Sequence, residues 1–154
     1  MIRLSRDMPI NEPGEEVVLN RNQVWQGLEM KAANAVPFVP SITECDVIER
    51  WEGGMLREIV HAGERLREYI TQIPERVIHF RRISDLTPGD IFNELYFNDD
   101  GALTLTFTFA LDLPNIEPGT PEAVAFAAQL EESYLQSIRA TIGHIRRLVS
   151  SGDL

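Results

Sequence analysis

The residue types best suited to metal binding or nucleophilic attack in this chain are three histidines, His61, His79 and His144, and one cysteine, Cys45. Their spacing composes no site. A metal needs several His, Cys or carboxylate ligands at compatible spacing, and these histidines lie far apart and form no motif with Cys45. They read as ordinary solvated or core histidines, so neither a metal nor a cofactor is expected. A nucleophilic triad needs a serine or cysteine held in a recognisable turn beside a base. No GxSxG occurs, and Cys45 falls in a strand-like stretch, where a small buried thiol is the natural role. Gly53-Gly54 reads as a turn between strands rather than a phosphate-cradling loop.

One carboxylate stands out instead. Stepping about 100° per residue, the segment from Thr120 to about Ser150 collects Val124, Ala127, Ala128, Glu131, Leu135, Ile138, Ile142, Ile145 and Val149 on one stripe, and only Glu131 is polar. Burying an unpaired carboxylate costs several kcal/mol, so Glu131 should meet an arginine, water or a ligand. The stripe is small at its N-terminal end and bulky at its C-terminal end, which suggests a cavity near Glu131.

The elements that position these residues follow from pattern and punctuation. Ile2, Leu4, Met8 and Ile10 alternate in a first strand that puts Arg6 on the inner side. Asn20 with Gln23 resembles a capping box, predicting a helix over 21–34 with Val24, Trp25, Leu28 and Ala32 inward. Pro37 and Pro40 then allow at most a short helical turn. Leu103 to Leu111 alternates apolar residues with Thr104, Thr106, Thr108 and Ala110, the mark of a sheet wetted on one side. A three-residue loop before it, with Gly101 left-handed, would pair Leu95 with Leu105, Asn93 with Phe107 and Ile91 with Phe109. It buries more apolar area than a two-residue Asp100-Gly101 turn and leaves Asn93 inward. Periodicity over 55–73 fits a helix, or two strands turning at Ala62-Gly63-Glu64. Thr120, Pro121 and Gly152 delimit the last helix.

At 154 residues the chain is expected to form a single domain, 1–154. No run of 18 apolar residues predicts a membrane span, and Met1–Asn20 lacks the apolar core of a secretory signal. A lone cysteine fits a reducing compartment, so a cytoplasmic location is expected. The net charge of −10 argues against nucleic-acid partners and against docking on anionic membranes. There is one lysine, Lys31, against thirteen arginines, and its type and place point to no function.

The order of elements is similar to that of the START-like (SRPBCC) superfamily. Leu19-Asn20-Arg21-Asn22-Gln23-Val24-Trp25-Gln26-Gly27-Leu28 resembles the characteristic helix of its AtaL-like branch. Phe38-Val39-Pro40, Leu56-Arg57-Glu58, Pro74-Glu75-Arg76-Val77 and Leu105-Thr106-Phe107-Thr108-Phe109 follow in the same order and spacing. The resemblance implies an α+β helix-grip fold: a curved antiparallel sheet wrapped around a long C-terminal helix, with two short helices between the first two strands and a cavity under the grip. It also implies the two-strand reading of 54–72. It carries over no catalytic or ligating residue.

On these faces the expected ligand-facing residues are Glu131, Ala127, Asn93, Arg6, Glu68 and Phe107. Arg57 and Glu58 are neighbours in a strand, so one of them faces inward. The first functional reading is a protein that binds a hydrophobic small molecule: a lipid, an aromatic or a polyketide-like compound. A second is an aromatase/cyclase-like enzyme in which burial raises the pKa of Glu131 for proton transfer. A third is a protein-interaction module without a ligand. The buried groups equally fit an arginine–glutamate network in which Arg6 or Arg57 neutralises Glu131 or Glu68. Phe126, nearly opposite the apolar stripe, reads with Leu130 and Tyr134 as ordinary surface or as a homodimer contact.

Overall fold

The computed structural model describes residues 1–154. Strand β1 (Ile2–Pro9) leads to helix α1 (Arg21–Ala33). Six strands follow: β2 (Ile42–Trp51), β3 (Gly54–His61), β4 (Glu64–Ile73), β5 (Val77–Ile83), β6 (Gly89–Phe97) and β7 (Leu103–Leu111). Helix α2 (Pro121–Ser151) closes the chain. The strands form one antiparallel sheet in the order β1-β7-β6-β5-β4-β3-β2. Two register shifts between β2 and β3 bend this edge, as bulges do, and the sheet curves over the last helix.

Local chemistry explains most of the boundaries. Asn20 caps α1 through the backbone of Gln23, whose side chain returns the bond to the backbone of Asn20. Val24, Trp25, Leu28 and Ala32 are buried as their spacing predicts. The segment between α1 and β2 forms a hydrogen-bonded turn from Ala35 to Val39 rather than a second helix. Pro37 and Pro40 lack the donors a longer helix needs. Residues 54–73 are two strands. The β6–β7 hairpin has the three-residue loop: Asn98 N–H donates to Ala102, Gly101 sits at φ 78°, and Leu95, Asn93 and Ile91 face Leu105, Phe107 and Phe109.

Two further expectations change. The outer face of β7 is not wet, since Thr104, Thr108 and Ala110 are buried. This strand lies between β1 and β6, and neighbours cover it; Ser5 Oγ lies 2.9 Å from Thr108 Oγ1, and Tyr96 hydroxyl lies 3.1 Å from Thr106. Helix α2 buries the C-terminal half of its predicted stripe but not the N-terminal half, and it adds Thr141 to the buried face. Val124 is 68% exposed, whereas Ile138, Thr141, Ile142 and Ile145 are buried. Phe126 is half-buried on the sheet side, where it lines a groove with Leu130 and Leu86. It does not stand opposite the core.

Candidate functional site

The strand pleat brings a row of charges to the concave face. Arg57 on β3 stands directly opposite Glu68 on β4, which stands opposite Arg82 on β5. All three are buried, Glu68 to 1% exposure. Arg57 donates from Nε (3.1 Å) and Nη2 (2.7 Å) to Glu68 Oε1, and Arg82 Nε donates to Oε2 at 3.2 Å. Arg57 Nη1 also reaches the Lys31 and Ala32 carbonyls at 3.1 and 3.0 Å, the electronegative end of α1 where a cation is favoured. Burial alone would raise the Glu68 carboxyl, but the two guanidinium groups prevail and hold it at about 2. Glu58, the neighbour of Arg57, points outward to Arg65 and Arg67.

A cavity lies between this row, α1 and α2. Its apolar wall is Val39, Ile42, Phe80, Ile91, Phe107 and Ile138, and its polar wall is Lys31, Arg57, His61, Glu68, Arg82, Asn93, Ser133, Tyr134, Ser137 and Thr141. Its volume is about 60 Å³. One buried water needs roughly 10–15 Å³ on the same scale, so the free space is equivalent to a few waters. His61 and Ser133 also line a larger outer groove of about 200 Å³ with Phe126 and Leu130, so these two side chains form a neck between cavity and surface.

The polar wall is unevenly satisfied. Ser137 and Thr141 return their hydroxyls to carbonyls one turn back, Ser133 and Ser137, which lets them face inward at little cost. Lys31 Nζ donates to Asn93 Oδ1 at 2.6 Å and lies 5.4 Å from the Phe80 ring centre. Burial, reinforced by Arg57, lowers its amine to about 7. Burial and Arg82 lower His61 to about 4, so its ring is neutral at pH 7. Tyr134 stacks on Phe109 with ring centres 4.7 Å apart. Burial raises its hydroxyl, with Arg82 opposing. Neither the Tyr134 hydroxyl nor Arg82 Nη1 makes a well-formed hydrogen bond, although both are buried and the guanidinium lies beside the phenol. Two guanidinium groups against one carboxylate leave this interior positive before Lys31 is counted.

The expected site residues divide. Asn93, Glu68 and Phe107 line the cavity. Glu131, Ala127 and Arg6 do not. Arg6 Nη2 meets Glu131 Oε1 at 2.6 Å, with side chains 46% and 35% exposed. This is an outer pair between β1 and α2, so the burial expected for Glu131 is absent. Ala127 is half-buried and takes no part in the cavity wall. Sequence reasoning missed Lys31, His61, Arg82 and Tyr134. Lys31 had a legible signal: it follows Val24 by seven residues and Leu28 by three, on the inward face of α1.

A family model for AtaL, described as acetylaranotin biosynthesis cluster protein L, matches residues 4–152. The protein of that description from Aspergillus terreus (strain NIH 2624 / FGSC A1156) is 24% identical over 153 residues, covering 98% of this chain and 92% of its own length. Among solved structures, the Zhui aromatase/cyclase from Streptomyces sp. R1128 superposes with TM-score 0.70 at 18% identity, covering 96% of this chain and 95% of that one. The di-domain aromatase/cyclase StfQ of the steffimycin biosynthetic pathway gives 0.72 at 10% identity, over 98% of this chain and 52% of that one. A START superfamily protein from Mycobacterium smegmatis gives 0.67 at 12% identity, over 95% and 98%. At these identities the superpositions show the fold alone.

Proposed function

As the chain belongs to the AtaL family, acetylaranotin biosynthesis cluster protein L, and has the START-like helix-grip fold, we propose that it binds a hydrophobic, oxygen-bearing small molecule, aromatic or polyketide-like, in the cavity beneath α2. One observation carries this reading. Arg82 Nη1 and the Tyr134 hydroxyl are buried donors without a well-formed hydrogen bond, set in a wall that includes Phe80 and Phe107. A buried donor left unpaired costs about 1–3 kcal/mol, and a ligand oxygen would recover it. The free space is smaller than such a ligand, so binding requires the neck at His61 and Ser133 to widen.

Calorimetric titration with 2-naphthol tests the reading on wild type and Tyr134→Phe. Wild type should bind, and the variant should bind about tenfold more weakly, one hydrogen bond's worth. The ligand-free variant should be as stable as wild type or slightly more so, because an unsatisfied hydroxyl has gone. Unchanged affinity would overturn the proposal. The aromatase/cyclase-like reading loses its carboxylate: Glu131 lies outside the cavity and Glu68 is held ionised by two arginines. What favours enzymatic chemistry is Lys31, the one cavity group poised near neutrality. An interaction module without ligand would need a closed core, and the cavity counts against it.

A further inference from the structure

We infer that Lys31 forms a reversible imine with a carbonyl group of the ligand, so that the cavity holds aldehydes or ketones covalently. The inference deepens the binding reading above and rests on it.

Lys31 is the only lysine of the chain, and it is 6% exposed on the inward face of α1. A long flexible cation is rarely buried without a carboxylate partner, and Lys31 has none. The nearest carboxylate, Glu68, has one oxygen on Arg57 and the other on Arg82. The amine keeps one hydrogen bond, to Asn93 Oδ1, and its cavity neighbours Phe80 and Phe107 are apolar. The Phe80 ring attracts an ammonium weakly, but burial and the Arg57 guanidinium outweigh it and favour the neutral amine. At an amine value of about 7, roughly half the molecules at neutral pH carry the nucleophilic form. The charged groups facing Lys31 are Arg57, which disfavours its proton, and Glu68, which favours it; His61 on the same wall is neutral.

The chemistry needs no oxidant or reductant. The amine lone pair attacks the carbonyl carbon, the new C–N bond forms, and the carbonyl oxygen takes up a proton to give a carbinolamine. The C–O bond then breaks and the oxygen leaves as water, carrying both hydrogens of the original amine, while the second C–N bond forms. Water reverses the sequence. Asn93 acts as a positioning residue by accepting one N–H and so directing the lone pair. The two donors of the same cavity that lack a well-formed hydrogen bond, Tyr134 hydroxyl and Arg82 Nη1, are of the kind that stabilise an oxygen on which charge develops.

The test uses the whole protein with benzaldehyde and sodium cyanoborohydride, which traps an imine as a stable benzylamine, followed by peptide mapping. The only other primary amine is at Met1. In the folded protein Lys31 should be benzylated roughly tenfold faster than Met1, since a pocket raises the local concentration of the aldehyde. In guanidinium the order should reverse, because an unfolded lysine is protonated and the α-amine is not. Labelling confined to Met1 in both states would overturn the inference. Titration of 2-naphthol, which has no carbonyl, runs alongside. Naphthol binding with no label on Lys31 removes the imine and leaves the binding reading standing. Label on Lys31 without naphthol binding supports the imine and removes that reading. Absence of both removes both.

Discussion

Three groups, Lys31 and Glu68 buried and His61 half-buried, give the folded chain fewer protons than the unfolded one. Lys31 is lowered to about 7 from 10.5, His61 to about 4 from 6.5, and Glu68 to about 2 from 4.5. Stability rises with pH wherever the unfolded state binds more protons, so each group makes the fold more stable as pH rises through its own window. Glu68 acts from about 2 to 4.5, His61 from about 4 to 6.5, and Lys31 from about 7 to 10.5. One proton is worth about 1.4 kcal/mol per pH unit. Urea unfolding between pH 7.5 and 9.5 should therefore show wild type gaining stability relative to Lys31→Met by up to about that slope; a parallel profile would refute the buried amine. Glu68→Gln leaves two buried guanidinium groups unpaired and should cost about 3–5 kcal/mol. Glu131→Gln breaks only an exposed pair and should cost less than about 1 kcal/mol, with 2-naphthol affinity unchanged. The alternation of strands made Glu68 and Asn93 legible. The spacing of Lys31 from Val24 and Leu28 made its inward position legible, but not its role, because a polar residue on an apolar helix face reads as an interruption until a polar cavity is known to lie beneath it.

Helices and strands differ in how much of their placement is written locally. The cap at Asn20, the inward face of α1 and the β6–β7 register all follow from short-range chemistry, and the structure has them. Residues 54–73 carried helical and strand patterns at once, and only the likeness to a known family separated them. Helix α2 misled for a physical reason. Its inward face includes Ser133, Tyr134, Ser137 and Thr141 beside Ile138, so hydroxyl residues share the cavity with the apolar stripe, of which Ile138, Ile142 and Ile145 are buried and Val124 is not. Its packing on α1 is tight where Gly27 meets Ile145. A Cβ at Gly27 would run into the Ile145 side chain. Alanine gains roughly 1 kcal/mol of helix propensity over glycine, but forcing a methyl into a packed contact costs about 1–3 kcal/mol. Gly27→Ala should lower the urea midpoint, and a variant as stable as wild type would show that the two helices can part without cost.

The whole molecule opposes its own cavity in sign. The chain carries a net charge of −10, while the cavity wall holds Arg57 and Arg82 against Glu68 alone. Outside, an anionic ligand is repelled by the summed field. Inside, it meets guanidinium groups and an Arg82 nitrogen without a well-formed hydrogen bond. These two effects separate by distance, because salt screens charges farther apart than about 8–10 Å and hardly reaches a buried pair. Association of 2-naphthoate should therefore quicken severalfold as ionic strength rises from about 10 to 150 mM, the reverse of the slowing seen when opposite charges steer an encounter. Its dissociation, governed by contacts inside the cavity and by opening of the neck, should change little. Neutral 2-naphthol should show no salt dependence in either rate. Stopped-flow measurement of both ligands separates the two fields: if naphthoate association slows with salt, the ligand enters along a positive surface path and the neck at His61 and Ser133 is not its entrance.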